Sequence, residues 1–228
     1  MIEAIGIDPA AGKETCIWHQ NDYMFVRAQH VRLAIDKLLR EYRDCIIAWD
    51  APLSFAHSSF SDRKVDKATR SWVKEKVAQG RLEKSAVNAL PFSGLSHWVI
   101  SCEALGSPFG EKHNGLNLYP NSIFNGEQGQ HLIEVHPAVS MACLWLDKNI
   151  EEPFPVYKKS KQARQVIVRA LNFPEVCADS DDILDAYVAY LMAVSFADKK
   201  AVSVCEPKVG SYVLPSGNAC NEIGSRMC

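Results

Sequence analysis

Short apolar runs separated by polar turns occupy the beginning of the chain. The runs at residues 2–8, 15–19 and 23–27 have the length and composition of β-strands, and Asn21-Asp22 is a tight-turn signal before the third run. Three strands with such short connections predict two successive hairpins. We therefore expect the chain to begin with an antiparallel meander.

Helical periodicity replaces this pattern at residues 31–43. The apolar residues of that segment lie on one helical stripe, opposite the charged ones: Val31, Ile35, Leu38, Leu39 and Tyr42. The next apolar run, residues 45–50, is too continuous for an edge strand and ends before Pro52. We predict that it is a central strand parallel to the first.

The middle of the chain, residues 55–129, has a different character. Helix-like segments are followed by a loop rich in Gly, Asn and Pro, which together predict a helical insertion. The helix-like segments cover residues 62–79, 81–90 and 96–106.

After the insertion, the pattern predicts a strand, three helices and two short final strands. They cover residues 132–135, 137–148, 160–172, 182–198, 202–205 and 212–214. The helix at 182–198 is apolar around most of its surface and should be buried. The whole order predicts one α/β domain over residues 1–228, whose mixed sheet has three antiparallel strands followed by parallel ones.

Composition narrows the class of protein. The 228 residues are 47% hydrophobic and carry a formal charge of -2, which argues against a disordered chain and against nucleic-acid coating by bulk charge. No apolar run is long enough to span a membrane, and the N-terminus lacks a signal-peptide pattern. The eight cysteines show neither CxxC nor a zinc-site spacing. We expect a reduced cytoplasmic protein.

Carboxylates lie where several predicted elements begin or end. Asp8, Asp50 and Glu134 are at or near strand ends, and Asp182 and Asp185 are at the start of the last long helix. An ionised carboxylate beside apolar residues loses hydration and needs a partner or a cation, and these segments contain no basic residue. Right-handed crossovers would bring the first and fourth strand ends together, about 5 Å apart on neighbouring strands.

Ordinary structural roles remain open for several of these residues. Asp8 and Asp50 each precede a Pro-containing turn, where aspartate commonly forms turns. Asp181 either orients the metal ligands or, like Asp182, simply suits the first turn of a helix, where the helix dipole favours acids. Asp185 lies in the second turn, where capping does not explain a carboxylate. His136 is a metal ligand, an orienter of a ligand or a structural histidine.

Taken together, these acids predict a divalent-metal centre. Hard oxygen ligands favour Mg²⁺ or Mn²⁺. The predicted ligands are Asp8, Asp50, Glu134 and Asp185, with Asp182 as an additional ligand or general base. Two such ions about 4 Å apart can activate water and stabilise the leaving oxygen in phosphodiester hydrolysis.

Basic residues form two groups, at 62–84 and after residue 158. Either group can contact phosphate, although an ordinary solvated helix face remains the alternative. The candidate phosphate contacts are Arg63, Arg70, Lys158 and Arg164. We expect a nucleic-acid partner whose type stays open, as does the oligomeric state.

Residues 6–14 are similar to a phosphate-binding P-loop. The spacing from Gly6 to Gly12 is one residue too long, and Glu14 stands where that motif has a metal-binding Ser or Thr. A Walker-type ATPase is therefore not expected.

An ordered set of motifs resembles the domain of unknown function 429 family, described as predicted nucleases with an RNase H-like fold. The motifs are Gly6-Ile-Asp8, Asp50-Ala-Pro-Leu, residues 63–70, Glu134-Val-His-Pro, the basic helix after Lys158 and Asp181-Asp-Ile-Leu-Asp185-Ala. The Asp182-x-x-Asp185-Ala element is also similar to the last-helix acids of Holliday-junction resolvases. Ala138 departs from the family, which often has Glu there.

The residues and the resemblance together favour a divalent-metal-dependent nuclease with helices on both faces of an RNase H-like sheet. Two alternatives remain open. One is a non-catalytic RNase H-like module that binds a nucleotide or a protein. The other is a single-lobe relative of the sugar-kinase and actin phosphotransferases, which need two such lobes around their nucleotide.

Overall fold

The structure is a computed structural model. It describes residues 2–53, 63–88, 101, 104–105, 112–113, 116–118, 129–206 and 210–227.

Nine strands and six α-helices are formed by the described residues. The strands are β1 Glu3–Asp8, β2 Glu14–His19, β3 Asp22–Arg27, β4 Cys45–Trp49, β5 Lys112–His113, β6 Leu116–Leu118, β7 Gln130–Glu134, β8 Ala201–Glu206 and β9 Gly210–Pro215. The helices are α1 Val31–Glu41, α2 Lys64–Ala78, α3 Pro137–Asp147, α4 Lys161–Leu171, α5 Asp181–Ala197 and α6 Asn218–Ser225. Short 3₁₀ turns cover Ala28–His30 and Glu175–Ala178.

The main sheet has the strand order β3-β2-β1-β4-β7-β6-β5. Strands β1 to β3 form an antiparallel meander, and β4, β7 and β6 continue from β1 in parallel. β5 pairs antiparallel with β6, and β8 and β9 form a separate hairpin. This mixed sheet confirms the predicted α/β class and is consistent with an RNase H-like fold.

Helices cover both faces of the sheet. Strand alternation sends Ile5 and Ile7 to one face, where they pack with Ile35 of α1. It sends Ala4 to the other face, where α5 buries Ala189 and neighbouring residues. None of the helices in the described part of the chain has both the length and the apolar character that crossing a membrane requires.

The predicted insertion is only partly described. The helix expected at 62–79 is confirmed as α2, but residues 81–88, the described part of the helix expected at 81–90, are not helical. Gly80, with φ +69°, follows the end of α2, and the chain then pairs Leu82 with Phe154 in an isolated bridge. The third helix was expected at 96–106. Its described residues, 101, 104 and 105, are helical, and the others lie outside the described residues.

The insertion also contributes two short strands that the sequence did not predict. β5 and β6 extend the sheet within the segment predicted as a loop. Because these strands are two and three residues long, they carry too few residues for a clear alternation in the sequence. The division into a single domain with an insertion stays a prediction.

A close approach of α5 to the sheet depends on Gly6 of β1. A Cβ added there would lie 2.7 Å from Cα of Tyr190 and in overlap with the carbonyl oxygen of Ala186. These are backbone atoms of α5, which cannot move aside as a flexible side chain does. Glycine is therefore required at this position by the packing of the helix.

The change Gly6→Ala should destabilise the protein by about 3 kcal/mol or more, because it forces α5 away from the sheet. Urea unfolding monitored by circular dichroism would measure the loss. The matched control is Gly224→Ala in α6, where an added Cβ meets no atom within 4 Å. The control should be neutral or slightly stabilising, since alanine favours helix. Equal stability of the two variants would contradict the packing argument.

Candidate metal centre

Three carboxylates from distant parts of the chain meet at one edge of the sheet. Asp8 ends β1, Asp50 follows β4, and Asp185 lies in the second turn of α5. Each offers an oxygen, and these oxygens all lie within 4.8 Å of one another. This arrangement is the convergence that the sequence pattern predicts for these three residues.

Sheet register places the two strand-end aspartates side by side. Ile7 of β1 is paired with Trp49 of β4, and the backbone N–H of Asp50 donates to the carbonyl of Ile7 at 3.0 Å. The next residue on each strand, Asp8 or Asp50, therefore projects to the opposite face, where α5 lies. Both carboxylates are partly exposed.

The close packing of α5 brings the third carboxylate to the same place. Ala186 contacts the sheet at Gly6, two residues before Asp8 on the same face of β1. Asp185 precedes that contact by one residue and is 1% exposed. A helix held further from the sheet would leave Asp185 out of reach of the strand ends.

Enclosure and mutual repulsion disfavour the ionised forms of these acids. Burial raises the pKa of Asp8 well above its usual value, and the charges of Asp185 and Asp50 raise it further. Burial and then the charge of Asp185 raise the pKa of Asp50 to about 8. Burial also raises the pKa of Asp185, although Lys158 and Tyr157 oppose the shift.

Two residues of the loop before α4 contact Asp185. The hydroxyl of Tyr157 donates to its Oδ1 at 2.7 Å, and Nζ of Lys158 lies 3.3 Å from Oδ2. The charge of Asp185 in turn raises the pKa of Lys158. Lys158 thus balances part of the negative charge, and Tyr157 fixes the orientation of the carboxylate.

The donor set fits a hard divalent cation. All three groups are carboxylates, which suit Mg²⁺ or Mn²⁺, and a bound cation would relieve the repulsion that raises their pKa values. Asp8 and Asp50 border a cleft of about 100 Å³, which is also lined by Glu134, Asn88 and His136. The cleft therefore offers room for small ligands such as water beside the carboxylates.

Glu134 is not one of the three converging acids. Register pairs it with Trp49, so its side chain leaves the strand on the opposite face from Asp50, and yet it reaches the cleft that Asp8 and Asp50 border. Both of its oxygens accept hydrogen bonds from Arg63, at 2.8 and 2.6 Å, and one also accepts from the backbone N–H of Leu53. The role of Glu134 as a metal ligand stays a prediction: it lines the cleft beside Asp50, but both of its oxygens already accept hydrogen bonds from Arg63.

Arg63 lies inside a buried ionic network. It does not face the solvent, where a phosphate would bind. It is 3% exposed and also forms two hydrogen bonds with Asp66, whose other partner is the hydroxyl of Tyr212. Burial raises the pKa of Glu134, and Arg63 opposes that shift. The partner of Glu134 comes from the start of α2, outside its own segment of sequence.

Of the other predicted phosphate contacts, Arg164 is buried, whereas Lys158 and Arg70 are at least partly exposed. Arg164 is 8% exposed, and its guanidinium donates to backbone carbonyls, among them Tyr157 at 3.0 Å and Ala178 at 3.1 Å. The expectation for Arg63 and Arg164 is thus corrected, because both are buried. Lys158 is about half exposed at the cleft, and Arg70 is partly exposed on α2.

The remaining predicted residues lie around the cluster. Asp182 forms an ion pair with Lys13 of the β1–β2 turn and adds negative charge near Asp8. Asp181 is partly exposed in the first turn of α5.

His136 lines the cleft and packs edge-to-face on Tyr212. Burial, and then the charge of Lys158, lower the pKa of His136 to about 4.

Sequence reasoning missed three contributors to this site. Tyr157 lies in an irregular loop whose sequence carries no periodic signal. Lys13 belongs to the segment set aside as a false P-loop, and Asn88 falls where a helix was predicted. The run of basic residues that begins at Lys158 is the available signal for this loop, and it identifies Lys158 but not Tyr157.

The change Asp50→Asn should stabilise the metal-free protein, and more so at higher pH. The pKa of Asp50 is about 8 in the folded protein against 3.8 ordinarily, so the cost of ionising it grows as the pH rises through this window. Urea unfolding with a chelator should show a gain at about pH 8 that exceeds the gain at about pH 5 by at least about 1 kcal/mol. Equal gains at both pH values would contradict the shift. Added Mn²⁺ should stabilise the wild type more than this variant.

The change Arg63→Met should destabilise the protein by about 3–5 kcal/mol, because it leaves two buried carboxylates without their partner. The matched control is Lys67→Met, an exposed position one turn further along α2, which should change stability by less than about 0.5 kcal/mol. Thermal and urea unfolding of the two variants provide the measurement. A stable Arg63→Met protein would disprove a structural role for the network.

Comparison with known proteins identifies one family. Residues 120–209 match the family model described as Protein of unknown function (DUF429). No curated protein and no solved structure matches the chain. The match confirms the resemblance to the domain of unknown function 429 over residues 120–209, which include α3, α4 and α5.

Proposed function

We propose that this protein is a divalent-metal-dependent nuclease that hydrolyses phosphodiester bonds. The observation that supports the proposal most strongly is the convergence of Asp8, Asp50 and Asp185, whose oxygens all lie within 4.8 Å of one another. Burial raises the pKa of all three carboxyl groups, and the charge of Asp185 raises the pKa values of Asp8 and Asp50 further. Keeping such a group at one sheet edge is costly unless cations offset the repulsion.

The protein's own groups have distinct roles in this proposal. Asp8, Asp50 and Asp185 would hold the cations, which when bound supply an activated water and stabilise the leaving oxygen. Tyr157 keeps the carboxylate of Asp185 in one orientation through its hydrogen bond. Lys158, half exposed at the cleft, offers an ammonium to a phosphate oxygen.

Nucleic acid is the proposed substrate class because two lysines lie beside the carboxylates, and bound cations would add positive charge there. Lys158 and Lys159 are exposed beside the cleft, and their positive charge favours an anionic backbone. The protein as a whole carries a formal charge of -2, so attraction of the substrate is local to this edge.

A second candidate function rests on the ion pair between Lys158 and Asp185. Because this lysine already balances part of the charge of the cluster, the site can also be held without a cation. That observation favours a non-catalytic module that binds nucleotides or nucleic acid. Binding of nucleic acid without any cleavage in Mn²⁺ would support this second function over the first.

The changes Asp8→Asn and Asp185→Asn should each lower Mn²⁺-dependent cleavage by about 10³-fold or more, since each removes a ligand charge of the centre. Cleavage of labelled single-stranded, duplex and branched oligonucleotides measures the loss. Isothermal titration with Mn²⁺ should show weaker binding by both variants.

The matched control is Asp198→Asn at the opposite end of α5. Asp198 is exposed and pairs with Lys200, so its replacement should leave cleavage and Mn²⁺ binding unchanged. Full activity of Asp8→Asn and Asp185→Asn would disprove the proposed function. So would an equal loss of activity in the Asp198→Asn control.

A further inference from the structure

A second cavity opens directly beside the carboxylate cleft. It has a volume of about 350 Å³ and shares Asn88, His136 and Lys158 with the cleft. That volume lies within the range of about 300–1,000 Å³ typical of small-molecule sites. We call this cavity the side pocket. The three shared residues, which we call the common wall, border both spaces. One ligand can therefore extend from the side pocket into the cleft.

Apolar residues form the floor of the side pocket. Ala86 and Ala138 are each 4% exposed, and Tyr157 is fully buried, while Val156 is partly exposed between them. Two alanines at these positions leave space that larger side chains would fill. The floor therefore suits a flat, weakly polar group whose burial is favourable.

Polar residues form the rim. Ser85 and Asn88 are exposed and present a hydroxyl and an amide, and Lys158 and Lys159 add two ammonium groups. Ser85 has φ +69°, a left-handed conformation that costs energy for a residue other than glycine and often marks a functional turn. Hydrogen-bonding groups of both kinds around an apolar floor match the edges of a heterocyclic base.

We infer that the side pocket binds one unpaired nucleobase and thereby makes single-stranded nucleic acid, or an extruded nucleotide, the substrate of the adjacent centre. The inference rests on the proposed function for the chemistry at the cleft. A base on the apolar floor leaves its phosphate at the common wall, beside Lys158 and the three carboxylates. A base inside a duplex is stacked and paired, and it must first be extruded to enter such a pocket.

Binding of oligonucleotides tests this inference without requiring cleavage. Fluorescence anisotropy in Ca²⁺ would compare single-stranded DNA and RNA with sugar–phosphate chains of the same length that lack bases, and with the matched duplexes. The single strands should bind about tenfold more tightly than the base-free chains. Equal affinity for chains with and without bases would overturn the inference. Failure of every probe to bind, or tighter binding of the duplexes, would overturn it too.

Two variants locate the effect in the side pocket. Val156→Trp fills the floor and should abolish the preference for chains with bases, and Asn88→Ala, at an exposed rim position, should reduce it. The matched control is Val166→Trp, an exposed position on α4 that does not line the side pocket, which should keep the full preference. Unfolding midpoints of all three show whether each variant is folded. An unchanged preference in folded Asn88→Ala and Val156→Trp would overturn the assignment.

The same experiments separate this inference from the proposed function. A preference for bases without cleavage in Mn²⁺ supports the side pocket and contradicts the nuclease. Cleavage without any preference for bases supports the nuclease and contradicts the side pocket.

Discussion

The packing of α5 against the glycine of β1 is the contact on which the site depends. Gly6 lets the backbone of the helix at Ala186 touch the strand, and this contact sets the height of Asp185 above the sheet. The same strand carries Asp8 two residues later on the same face. A local steric requirement therefore determines a distance between charges. Both residues of the contact pair lie within motifs that resemble the family.

Two ionic systems of different character lie side by side at this sheet edge. Around Glu134, one buried arginine forms hydrogen bonds with two carboxylates, so each carboxylate has a cationic partner with good geometry. Around Asp8, Asp50 and Asp185, negative charge is only partly balanced by Lys158. The first system supports the wall of the cleft, and the second retains unmatched charge that favours a ligand.

Part of this arrangement follows from the sequence by general rules. Apolar runs and right-handed crossovers are enough to predict that Asp8 and Asp50 meet, and the second-turn position of Asp185 marks it as unexplained by helix capping. The role of Glu134 does not follow in this way. A register shift of one residue decides the face on which it lies, and its partner Arg63 is 71 residues away in sequence. Tyr157 was missed because irregular loops have no periodic pattern that reports what they contact.

The approach of α5 to β1 also has a consequence for the order in which the protein is made. β1 precedes α5 by most of the described chain, so it leaves the ribosome earlier than the helix that covers it. Until then the alanine and glycine face of β1 has no cover, and Asp8 and Asp50 lack their third neighbour. A nascent chain therefore cannot form the three-carboxylate site before α5 has emerged and packed on β1.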